Sequence, residues 1–75
     1  MKKSERPAFV HLATNLKRLR NGVRQREFAT KVGISQPRLS AYEHGGLPDI
    51  QTLHHIQETS GYSWEDLLGD GDGDN

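Results

Sequence analysis

Apolar residues recur along this chain at helical spacing, in five short groups. Leu12, Ala13, Leu16 and Leu19 form one stripe, with Phe9 at its near end. They predict a first helix from about Pro7 or Ala8 to Asn21. Pro7 suits its first turn and Gly22 its C-terminal cap. Phe28, Ala29 and Val32 mark one face of a second helix, about Gln25 to Val32. Leu39 and Tyr42 mark a third, about Gln36 to His44, with Pro37 in the first turn, where its missing amide hydrogen is not needed. Ile50, Leu53 and Ile56 predict a fourth helix, capped by Asp49 and ended by Gly61 after Ser60. Trp64, Leu67 and Leu68 supply the apolar side of a fifth. It opens on Ser63-Trp64-Glu65-Asp66, a capping box with Asp in the acidic position, and Gly69 ends it. The fold class that follows is all-α, a compact bundle of five short helices.

The second and third helices meet at Gly33-Ile34-Ser35. Gly33 can take the left-handed conformation that ends a helix. Ile34 turns an apolar side chain into the corner. Ser35 can accept from the first free amides of the third helix, although Pro37 also biases Gln36 towards the capping position. Ala29 is small where the two helices cross. These are the requirements of a tight helix-turn-helix.

The stretch from Gln25 to Glu43 resembles the helix-turn-helix of the Cro/repressor family, the lambdoid phage repressors and their bacterial relatives. The positions that carry the resemblance are Gln25, Phe28-Ala29, Val32-Gly33-Ile34, Gln36, Leu39, Tyr42 and Glu43, continuing through Pro48, Leu53, Ile56, Gly61 and Ser63 to Leu68. The resemblance implies a lambda repressor-like domain over residues 8–69, with the third helix as recognition helix in the major groove of double-stranded DNA. It implies Gln36, Pro37, Arg38 and Ala41 as base contacts. Glutamine suits adenine, arginine forks onto guanine, and Pro37 and Ala41 suit a thymine methyl. Two alternatives stay open: Arg38 meets a phosphate instead, and Gln36 only caps its helix. The phosphate contacts expected are Arg24, Gln25, Arg26, Ser40, His44 and Gly45, with the amides of Gly45 and Gly46 free to approach a phosphate. Arg18, Ala29, Gly33 and Glu43 are expected to be structural, with Arg18 and Glu43 as a partly buried ion pair. A single module reads few base pairs, so the resemblance implies a Cro-type transcriptional repressor acting as a homodimer on a two-fold operator. Trp64, Leu67 and Leu68 are the expected dimer contact, the alternative for Trp64 being that it closes the core.

Two departures stand out. Arg24 occupies the position where relatives carry Thr or Ser, and an arginine cannot accept a capping bond. That costs the second helix roughly 1 kcal/mol and places a cation where a phosphate would lie. The loop Gly45-Gly46-Leu47-Pro48 is about one residue shorter than in relatives and lacks their basic charge.

Charge sharpens this picture. The 75 residues carry ten Lys and Arg against ten Asp and Glu. All ten cations fall in residues 1–45 with three acids, +7, while residues 46–75 hold seven acids and no Lys or Arg, −7. A basic face for a polyanion and an acidic side turned away is the expectation. Residues 1–7 are expected to be a flexible basic arm, which lies along DNA or touches nothing, and residues 70–75 a disordered acidic tail. The absence of cysteine suits a cytoplasmic protein, in the prokaryotic cytosol or nucleoid or phage-encoded. No apolar run reaches the length of a membrane span, and no apolar region follows the basic start as in a secretory signal.

Other chemistry finds little support. Asp70, Asp72 and Asp74 have the alternate spacing of a calcium loop but no following bidentate glutamate. His54 and His55 are adjacent on a helix and point about 100° apart, so they cannot share a metal. His11 and His44 are isolated. No strained nucleophile turn, triad spacing or phosphate-cradling glycine loop occurs. No metal, no cofactor and no enzymatic step are expected. The other function class is a protein-interaction module of the same fold, such as an antitoxin, with the acidic second half as its working surface.

Overall fold

The computed structural model describes residues 10–69, which fold as five helices. They are α1 (Leu12–Arg20), α2 (Gln25–Val32), α3 (Gln36–Glu43), α4 (Ile50–Ser60) and α5 (Trp64–Leu68). No strand occurs among the described residues. The predicted arm, the tail, Phe9 and the expected helix start at Pro7 or Ala8 lie outside them. Val10 and His11 form a turn, and α1 starts at Leu12 without a side-chain cap. Its C-terminus is closed by Asn21 in the left-handed conformation, one residue before the expected Gly22.

The core is one cluster: Leu12, Leu16, Phe28, Ala29, Val32, Leu39, Leu53, Ile56 and Leu67. Each large member stabilises the fold by about 1.5–3 kcal/mol through burial. Helix α1 packs on α3 and α5, and α2 packs on α3 and α4. Ala29 is buried, in keeping with a close approach of the second and third helices. Tyr42 and Ile34 pack against the cluster from the side.

Ile50 was expected in the α4 stripe, but it is 70% exposed. Each three-residue step falls about 60° short of a full rotation, so two steps back from Ile56 carry Ile50 about 120° off the core face.

The capping chemistry is largely as expected. Ser35 Oγ accepts from the Arg38 amide at 3.3 Å, so Ser35 and not Gln36 caps α3. Asp49 caps α4, and Ser63 and Asp66 form both bonds of a capping box. Asp49 lies below the usual carboxylate range, chiefly because its oxygens accept from Thr52. Gly33 ends α2 at φ +85°, and a Cβ there would also sit 2.6 Å from His55 Nε2. The His55 ring donates to the Gly33 carbonyl at 2.9 Å, fastening α4 to the turn.

Candidate nucleic-acid interface

Burial divides α3 cleanly. Leu39 and Glu43 face inward, whereas Gln36, Pro37, Arg38 and Ala41 are all exposed. The four expected base contacts therefore share the open side of one helix, with three of them in its first turn. The N-terminus of α2 lies beside them, because the first residues of the two helices are joined: Gln36 Nε2 donates to Gln25 Oε1 at 3.2 Å.

A buried carboxylate supports this corner. Glu43 is 3% exposed and accepts two bonds from Arg20, Nε at 2.7 Å and Nη2 at 2.8 Å, a fork geometry that arginine suits. It accepts a third from Gln25 Nε2 at 3.1 Å. Burial alone would push the Glu43 carboxyl up. The bonds from Arg20 and Gln25, with the charges of Arg20 and Lys17, outweigh it and hold the group below its usual range. The bonds to Glu43 and its charge raise Arg20 above its ordinary value.

This corrects the expected Arg18–Glu43 pair. The partner is Arg20, which also donates to the Val23 carbonyl at 3.1 Å. Arg20 lies one turn beyond the buried Leu16, on the side facing α3, while Arg18 is about 200° away around the helix and exposed. Arg18 Nη2 instead donates to Asn15 Oδ1 at 2.7 Å.

The expected phosphate contacts fall in two groups, Arg24, Gln25 and Arg26 at the start of α2 and Ser40, His44 and Gly45 in the later half of α3 and just after it. Arg24 and Arg26 are exposed, and Arg24 makes no capping bond to α2. Ser40 is half-buried; His44 is exposed and its Nδ1 donates to the Ser40 carbonyl at 2.7 Å. The glycine amides are not free as expected. Gly45 N–H donates to the Tyr42 carbonyl and Gly46 N–H to that of Ala41, closing the end of α3. A phosphate contact through them would have to break those bonds.

At the other end, Leu67 is fully buried, which removes it from the expected dimer surface: it belongs to the core of its own chain. Trp64 is 43% exposed and stacks on His54 at 6.3 Å, and Leu68 is half-buried. Trp64 therefore does not simply close the core.

Sequence reasoning passed over Asn15. It is fully buried and donates to the carbonyls of Leu67 and Gly69, both at 2.8 Å. Its signal was present: Leu12, Asn15, Leu16 and Leu19 share one stripe, and an amide inside it needs partners. No group of three or more metal-ligating side chains occurs among the described residues, and no described helix is long and apolar enough to cross a membrane.

A family model described as helix-turn-helix matches residues 16–67, from α1 into α5. No curated protein and no solved structure matches the chain.

Proposed function

The chain belongs to the helix-turn-helix family, of the Cro/C1 type, and we propose that it is a sequence-specific regulator acting as a Cro-type repressor, bound as a homodimer to a two-fold operator. The family is one of DNA-binding regulatory domains, not of enzymes. The observation that carries the finer reading is the open row Gln36, Pro37, Arg38 and Ala41 on a helix whose opposite side is buried. In this motif the N-terminal residues of the second helix reach base edges. Gln36 and Arg38 carry the hydrogen-bonding chemistry, and Pro37 and Ala41 offer apolar contact to a thymine methyl. Arg24, Gln25 and Arg26 grip phosphate around the start of α2, with Ser40 and His44 beyond the far side of α3. The chain works in the prokaryotic cytosol or nucleoid.

The dimer contact is assigned to Trp64, with Leu68 at its edge, because an aromatic this exposed on a small body favours a partner. The test is selection of bound sequences from a random duplex pool, followed by light scattering of the free and bound protein. A consensus with two inverted half-sites and two chains per duplex supports the reading. A consensus-free pool contradicts it.

A second reading has one observation in its favour. Leu47, Ile50 and Trp64 are exposed in the half of the chain that has no Lys or Arg, among Asp49, Glu58, Glu65 and Asp66. An acidic surface with apolar points suits a basic protein partner, as in an antitoxin. Co-purification of a stoichiometric basic protein from the native source, together with no selected consensus, would favour it.

A further inference from the structure

The link from α1 to α2 opens on Asn21-Gly22. A backbone nitrogen can attack the side-chain amide of a preceding asparagine, and a residue without Cβ allows the closest approach. Asn21 is the one non-glycine with positive φ among the described residues, at φ 45° and ψ 57°, and Gly22 follows at φ +86°. Both are exposed, and a Cβ built on Gly22 would meet nothing within 4 Å. The Gly22 amide makes no backbone hydrogen bond among the described residues. Its neighbours do: Asn21 N–H donates to the Lys17 carbonyl at 3.1 Å and Val23 N–H to that of Arg20 at 2.8 Å. The nucleophile is thus free, and rotation at Asn21 costs only two bonds at a helix end, where opening is easy.

Asn15 shows the opposite setting. It lies inside α1, fully buried, with Leu16 after it, and its amide is bonded to Leu67, Gly69 and Arg18.

We propose that Asn21-Gly22 is a site of spontaneous covalent modification, and that its conversion to isoaspartate weakens DNA binding. The Gly22 nitrogen loses its proton and bonds to Asn21 Cγ, the Cγ–Nδ2 bond breaks, and ammonia leaves. Water then opens the cyclic imide at either carbonyl, giving aspartate or isoaspartate. Either product adds one negative charge to the half of the chain that carries +7. Isoaspartate also lengthens the backbone by one carbon. The bonds that close α1 then lose register, and so does the Val23 carbonyl that accepts from Arg20, the partner of Glu43. Arg24 stands at the end of this link, at the start of α2. The effect on DNA rests on attraction to phosphate and needs no base reading.

The full chain is incubated in warm, mildly alkaline buffer, folded and in urea. Tryptic peptides separate Asn15 from Asn21, and mass spectrometry follows the amide-to-acid exchange at each. Isoaspartyl methyltransferase with S-adenosylmethionine marks the isoaspartate; the label is read on the Asn21 peptide alone, because Asp70-Gly71 and Asp72-Gly73 can also isomerise. The folded chain should convert at Asn21 within about ten-fold of its rate in urea, as expected for a site freed by local opening, while Asn15 stays intact. Asn21 intact in the folded chain, over a time in which the urea sample converts, overturns the site. The isoaspartate form, separated by ion exchange, should bind any duplex at least about three-fold more weakly than fresh protein, the loss of one phosphate-facing charge. Asn21→Gly keeps a residue suited to the left-handed position and removes the reacting amide, so its affinity should not decline on incubation. Equal affinity of fresh and isoaspartate forms, or a decline as large in Asn21→Gly, overturns the effect on DNA. No binding of fresh protein to any duplex would instead overturn the proposed function.

Discussion

Helix α1 fastens two neighbours, and it does so with different chemistry at each. Towards α3 it uses a charge pair, Arg20 with the buried Glu43. Towards α5 it uses a neutral amide, Asn15, which holds the carbonyls of Leu67 and Gly69. Both residues are buried polar groups with every partner satisfied. The charged clamp feels pH and adjoins the proposed DNA face through Gln25 and Gln36. The neutral clamp is insensitive to pH and anchors the C-terminal helix. The two clamps do the same structural task, pinning a short helix, and the charged one is the one that stands beside the proposed DNA face.

The strongest way to test the neutral clamp is to remove it. Asn15→Ala leaves the α5 carbonyls without their donor and opens a small void. It is expected to cost about 2–3 kcal/mol and to lower Tm by roughly 10–20 °C, read by thermal melts followed by circular dichroism. A change below about 0.5 kcal/mol would mean that α5 is held by Leu67 alone.

The next effect belongs to the charged clamp. Glu43 has its folded pKa depressed relative to the unfolded chain. The unfolded state binds the proton first, so the stability that Glu43 contributes is complete above its ordinary value of about 4.3. That contribution is lost as pH falls through the folded value. Urea unfolding from pH 7 to pH 3 should show an acid limb that Glu43→Gln flattens and Asn15→Ala leaves with unchanged slope. Asp49 adds a limb of the same sign, common to all three proteins. Equal slopes in the wild type and Glu43→Gln would remove the distinction between the clamps. Within α1, Arg20→Ala should destabilise more than Arg18→Ala, the reverse of what the resemblance implied, as paired melts at pH 7 would show.

The smallest effect concerns helix ends. The charged corner contains α2, which lacks a side-chain cap at Arg24, whereas α5 has a full capping box. Arg24→Thr should stabilise the free protein by about 0.5–1 kcal/mol and weaken all duplexes alike. A stabilised variant of unchanged affinity would leave Arg24 without a phosphate role.

The sequence revealed the elements because their determinants are local. Gly33, Ser35, Asp49 and the Ser63–Asp66 box each act within a few residues, and α2 to α5 stand where the apolar groups predict, whereas α1 starts only at Leu12, after a turn at Val10 and His11. Failures came where a residue's role depends on rotation about a helix or on distant partners. Ile50 drifted off its stripe, Leu67 turned inward, and Arg20 rather than Arg18 met Glu43. Asn15 needed carbonyls more than fifty positions away, which no local pattern reveals. The exposed row of α3 was legible because Leu39 marks the inner face and leaves the outer one determined. The Gln25–Gln36 link was not, because it joins two helices through the turn.

As proposed, the open end of α3 reads base sequence, beyond a general attraction between a basic surface and phosphate. Titration of wild type and Gln36→Ala on the selected operator and on a scrambled duplex, at two salt concentrations, tests it most directly. The expected result is a loss of about 1–3 kcal/mol on the operator, little change on the scrambled duplex and an unchanged salt slope. An equal loss on both duplexes, with the selected consensus intact, would contradict it.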